Sequence, residues 1–140
     1  MSINELQDEI IDEFSAFDEW FDRYQLLIEY GNELKQHPMP EQDKTEQNLI
    51  DGCQSKVWFT CRMEEGKIYF TGDSDAVLVK GIVALLIHVL NGHTPKEILE
   101  ADLYFIDAIQ LREHLSPTRS NGVAAMLKQM RLYALAYANK

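Results

Sequence analysis

The stretch Lys56-Val57-Trp58-Phe59-Thr60-Cys61-Arg62-Met63, with Glu64-Glu65-Gly66 and then Lys67-Ile68-Tyr69-Phe70-Thr71 behind it, decides the fold class. Val57, Phe59, Cys61 and Met63 alternate with Lys56, Trp58, Thr60 and Arg62, the period of two that lays apolar side chains on one face of a strand. Glu64-Glu65-Gly66 makes a hairpin turn, and Lys67 to Thr71 returns with Ile68 and Phe70 on one face. Gly72-Asp73-Ser74 closes that strand and supplies a helix cap. Ala76 to Leu90 is apolar almost all round, which predicts a buried central helix ended by Asn91-Gly92. A hairpin feeding such a helix predicts an α+β fold, a small antiparallel β-sheet flanked by α-helices.

Working outward, Ile3, Leu6, Ile10, Ile11 and Phe14 share one helical stripe behind Ser2, a capping residue. Phe17, Trp20, Phe21, Tyr24, Leu27 and Ile28 repeat the stripe in a second helix, with Asp18, Glu19 and Asp22 in its first turns and Gly31 as its stop. His37-Pro38-Met39-Pro40 breaks the helix, and Glu41 to Asn48 reads as a polar loop. Thr94-Pro95-Lys96-Glu97 is a capping box with Pro at the first helical position. Leu103 to Leu115 includes a short helix. Ser116-Pro117 starts the last helix, through Val123, Met126, Leu127, Met130 and Leu132. No repeat or interdomain linker interrupts the chain, so residues 1–140 read as one domain.

The net charge is −10, and no run of Lys and Arg forms a basic stripe, which argues against nucleic acid as a partner. Met1 to Leu6 has neither a basic nor an apolar leader character. Ile82 to Leu90, the longest apolar stretch, is far short of a membrane span. A cytoplasmic location without membrane contact is the expectation. The two cysteines, Cys53 and Cys61, are too few for a four-ligand metal site, and His37, His88, His93 and His114 are scattered, so no metal site is expected.

Cys53 sits between the polar loop and the first strand, after Gly52, which permits a tight turn just before the sulfur. A thiol so placed is either presented to a partner or packed as a small hydrophobe. Cys61 shares the face of Val57 and Phe59 and is expected to point to the core as an inert thiol. Eight residues of extended chain would hold the two sulfurs well apart. Leu49, Ile50 and Val57 are placed to shelter a sulfur on Cys53, while Trp58 falls on the opposite face and is expected to pack between helix and sheet.

The segment Gly52-Cys53-Gln54-Ser55-x-Val57-Trp58 resembles the signature of the SufE/CsdE family of sulfur acceptors. Four further segments match in order: Trp20-x-x-Arg23-Tyr24-x-x-Leu27-Ile28-x-x-Gly31; Gly72-Asp73-Ser74-Asp75-Ala76 running into Val79-Lys80-Gly81; Leu90-Asn91-Gly92; and Leu115-Ser116-Pro117-x-Arg119-x-Asn121-Gly122. They run from about Trp20 to Met130. Asp51 and Cys61 depart from the family pattern, and the first sixteen residues are only loosely alike.

The resemblance implies a SufE/IscU-like fold and a covalent sulfur carrier. A pyridoxal-phosphate cysteine desulfurase of the SufS/CsdA type would hold sulfur as a persulfide. This chain would take it onto Cys53, stimulate the desulfurase, and pass the sulfur to an iron–sulfur cluster assembly scaffold such as a SufB-like protein. It would be an accessory protein with no cofactor of its own, as a monomer or a homodimer. Thiol exchange needs the Cys53 thiolate, which a cation favours. Lys56 and Arg62 are near in sequence, and Arg119 belongs to a matching segment. Arg119 either stabilises the thiolate or persulfide or forms a salt bridge to Asp73 or Asp75. Gln54 and Ser55 offer donors to an anionic sulfur. Asp75 is read first as an acid at a helix N-terminus and second as a partner that orients the loop. The competing readings are a metal or Fe–S scaffold on an IscU-like fold and a thiol oxidoreductase or peroxidase.

Overall fold

The computed structural model describes residues 1–50, 55–115 and 117–139, without the side chains of 117–119. The two strands predicted from alternation are present as β1 (Val57–Glu64) and β2 (Lys67–Ser74), antiparallel in the register Val57↔Ser74 to Glu64↔Lys67. Glu65 and Gly66, both at positive φ (51° and 80°), make the two-residue turn whose twist suits a hairpin. β2 runs on through Ser74, three residues beyond the expected end. Short bridges extend the sheet on either side, Leu49 to Trp58 and Ile68 to His93.

The helices are α1 (Ile3–Ser15), α2 (Trp20–Glu33), α3 (Val77–Leu90), α4 (Pro95–Glu100), α5 (Phe105–Ala108) and α6 (Pro117–Ala138). Ser2 and Thr94 each close a capping box, on Glu5 and Glu97, as the sequence predicts. α3 is the centre: nine of its residues are buried, and it packs against α2 on one side and β2 on the other. Val57, Phe59, Ile68 and Phe70 supply the sheet's contribution to that core.

Three expectations are corrected. Gly31 does not stop α2; it lies buried inside the helix where α2 crosses α3. A Cβ on Gly81 would come within 2.3 Å of the Leu27 carbonyl oxygen, and one on Gly31 within 3.0 Å of the Gly81 nitrogen, so the pair permits backbone contact. The apolar stripe of α2 is also narrower than its sequence suggests: Phe17 precedes the helix and Phe21 is 71% exposed, while Leu27 and Tyr30 are buried. Ser74 does not cap α3. The N-cap is Ala76, without a side-chain bond, and the Ser74 hydroxyl accepts the N–H of Ala76 itself, ahead of the first-turn amides a cap would take.

Two polar residues join elements in the interior. Gln7 on α1 donates to the Asp102 carbonyl (3.0 Å) and accepts from the Phe105 N–H (3.1 Å), and His93 contacts the Met1 carbonyl through Nε2 (2.9 Å). Among the described residues no helix is long and apolar enough to cross a membrane.

Candidate functional site

The site is built on the stem that leads into and out of residues 51–54. Gly52, Cys53 and Gln54 lie outside the described residues, as does the side chain of Arg119, so the expected apposition of Arg119 and Cys53 is not described. Ser55, half-buried, and the exposed Asp75 are described. On the near side of the segment, Ile50 donates its N–H to the Val57 carbonyl at 2.8 Å. Ile50 and Val57 are core residues, and Leu49 is half-buried.

On the far side Lys56 is clamped by the end of β2. Asp75 accepts the Lys56 N–H at 3.0 Å and returns its own N–H to the Lys56 carbonyl at 3.2 Å. The Ser74 hydroxyl donates to the same carbonyl at 2.8 Å. The first reading of Asp75 is thereby corrected: α3 has no acid in its first turn, and the carboxylate holds the loop stem. Proximity explains the outcome, because antiparallel pairing of Val57 with Ser74 sets Lys56 opposite Asp75, and an unpaired strand-end amide takes the nearest acceptor.

Asp73 completes the framework, and sequence reasoning missed its role. Its carboxylate meets Lys44 at 3.0 Å and Lys80 at 3.2 Å and accepts the Ser74 N–H at 2.8 Å. Burial pushes the Asp73 pKa up, but hydrogen bonds from Lys44, Ser74 and Lys80 prevail and hold it below the ordinary carboxylate value. Hydrogen bonds that Lys44 donates to Asp73 and Glu41 raise its own pKa. Lys44 also lies 5.6 Å from the Trp58 ring centroid. The half-buried Trp58 thus carries a lysine of the 41–48 segment over its ring. No sequence spacing joins residues 44, 73 and 80; the signal was the acid-rich Gly-Asp-Ser-Asp segment, read as a helix cap.

Beside Asp75 a cleft of about 210 Å³ opens between α2 and the start of α3, with Lys35, Lys80 and Val77 on its walls. Val77 on its wall is 62% exposed, an apolar group next to the loop stem.

Other motif residues serve the framework. The Trp20 ring stacks on His114 at 3.6 Å between centroids. Arg23 donates to the Phe17 and Ile109 carbonyls (2.9 and 3.2 Å), and the Tyr24 hydroxyl to that of His114 (3.3 Å). Together they anchor the turn that enters α6, the helix that carries Arg119. Cys61 is half-buried at the core's margin, where the sequence placed it inside. It neighbours Tyr133 and Tyr137 of α6; burial first, then Cys61, raises both phenols. Among the described residues no group of three His, Cys, Asp or Glu side chains is gathered as a metal site would require.

Comparison with known proteins bears on this geometry. The family model described as "SufE: Fe-S metabolism associated domain" matches residues 8–134. An uncharacterized SufE-like protein of Synechocystis sp. is 44% identical over 128 residues, 91% of this chain and 79% of the relative. The solution structure of a hypothetical protein from Thermus thermophilus superposes with a TM-score of 0.78 at 23% identity, over 96% of this chain and 97% of that one, and shows a shared fold.

Proposed function

This chain belongs to the SufE family, whose domain is associated with Fe–S metabolism, and from that premise we propose that it is a covalent sulfur acceptor with Cys53 as the carrier thiol. The observation that carries the proposal is the stem: Ile50 bonded to Val57, and Lys56 held by Asp75 and Ser74, anchor the chain on both sides of Gly52-Cys53-Gln54. A thiol on a short segment between fixed points is suited to meeting a second protein's sulfur.

The step is thiol exchange. The Cys53 thiolate attacks the outer sulfur of a desulfurase persulfide; the partner's S–S bond breaks, a new one forms on Cys53, and the partner's cysteine leaves as thiolate. The sulfane sulfur moves without net oxidation. Arg119 stabilises the anionic sulfur, with Gln54 and Ser55 as donors. The protein is an accessory to the desulfurase, stimulates it by unloading its persulfide, and passes the sulfur to an Fe–S assembly scaffold. Within the segment Gly52 is the hinge, since it lacks the Cβ that restricts backbone dihedrals. Shielding the persulfide and delivering it require two loop states, one of which the desulfurase selects.

The test is intact mass spectrometry after incubation with a cysteine desulfurase and cysteine. The expected result is a gain of one sulfur atom that reductant removes. Cys53→Ser abolishes the gain and Cys61→Ser leaves it. Labelling that persists in Cys53→Ser rejects the assignment.

A further inference from the structure

The outer face of α6 carries apolar side chains that the other described residues leave about half exposed. Val123, Met126, Met130 and Ala134 are buried in the core, whereas Leu132 and Leu135 are 47% and 46% exposed. These two leucines and Leu99 of α4 line a groove of about 400 Å³ whose charged walls are Arg112, Lys128 and Arg131. Among the described residues no carboxylate lines it, in a chain with 23 Asp and Glu against 13 Lys and Arg. Arg112 touches Asp107 at 3.5 Å, both well exposed, and among the described residues neither Lys128 nor Arg131 forms an ion pair. Arg131 is fixed by a 3.0 Å bond from one Nη to the Ala101 carbonyl, while its Nε is buried without an acceptor among the described residues.

We propose that this groove docks an acidic amphipathic helix of a partner protein. Ala124, Lys128 and Leu132 follow one another at helical spacing, and Leu135 continues the strip. From 124 to 135 it runs about 16 Å at ~1.5 Å per residue, or roughly three turns. A shallow strip of that length along one helix fits a second helix laid against it, whose apolar residues meet the leucines and whose Asp and Glu meet the flanking cations. A second copy of this chain fits less well, since two bodies of charge −10 repel. The groove shares no residue with the loop stem, so docking here is separable by mutation from sulfur transfer at Cys53.

The experiment titrates the isotopically labelled full chain with a synthetic helical peptide carrying Leu at i, i+4 and i+7 and Glu on its flanks. A peptide with Lys in place of each Glu is the control. Shift changes are expected at Leu99, Lys128, Leu132 and Leu135 with the acidic peptide alone. Binding should weaken roughly tenfold in Lys128→Glu, and similarly in salt of about 0.5 M. Leu135→Glu should abolish binding and Leu135→Met retain it, with both variants melting as the parent does because the position is exposed. Cys53→Ser should bind normally, which separates this surface from the sulfur chemistry. The proposal is overturned if the two peptides bind alike, if neither binds, or if the shifts map elsewhere. A concentration-dependent dimer lost in Leu135→Glu also overturns it, since the occupant is then a second copy.

Discussion

Asp73 ties three parts of the molecule together: Lys44 from the segment before the loop, Lys80 from α3, and the backbone of Ser74. Its folded-state pKa lies below the ordinary aspartate value of 3.8. The stability it contributes is therefore full above about pH 4 and is lost as pH falls through the folded value. Asp73→Asn should lower stability at neutral pH by about 1.5–3 kcal/mol, the range for hydrogen bonds to charged groups, and flatten the fall in denaturant midpoint below about pH 4. A variant with the parent's acid profile would show that the network carries no such linkage. With both Asp73 oxygens engaged, the salt bridge to Asp73 offered for Arg119 has a crowded acceptor. If Arg119 stabilises the Cys53 thiolate, Arg119→Ala should raise the pH midpoint of Cys53 alkylation and slow sulfur transfer without unfolding, and Arg119→Lys should restore part of the rate. An alkylation profile identical to the parent's would return Arg119 to a structural role.

At the scale of elements, the α2–α3 crossing depends on two small residues. Gly81→Ala would drive a Cβ into the Leu27 carbonyl, a backbone atom that cannot rotate away. It should destabilise by about 1–3 kcal/mol, as overpacking does, although alanine favours an isolated helix. Urea denaturation checks this, and an unchanged or raised midpoint would mean that the helices separate freely. The same crossing explains why Gly31 was misread from sequence. A glycine late in an amphipathic helix carries the same signal whether it ends the helix or lets another backbone approach. The stem makes a second prediction. Asp75→Ala removes the acceptor of the Lys56 amide, so hydrogen exchange at Lys56 should quicken while Phe59 and Phe70 stay protected. If Lys56 exchanges at the parent's rate, the bonds to its carbonyl, from the Ser74 hydroxyl and the residue-75 N–H, hold the stem without the carboxylate.

For the whole molecule, the layers follow from local pattern: alternation in Val57–Met63 gave the hairpin, the apolar run to Leu90 gave the central helix, and Ser2 and Thr94 gave two capped starts. Each is legible because its cause lies within a few residues of chain. Cys53, Gly52 and Gln54 were likewise singled out by their own neighbourhood and by resemblance. What the sequence by itself determined, then, is the α+β class and the order of elements, since periodicity, caps and turn residues act locally, while Cys53 as the candidate thiol rests on the resemblance. Only the tertiary structure decided the rest. It set Asp75 on Lys56, Asp73 on Lys44, Trp20 on His114, and Leu132 outward on α6. The three pairings join residues far apart in the chain, 19 positions for Asp75 and Lys56. A contact across such a separation is chosen by how helices and strands pack, which no local pattern encodes.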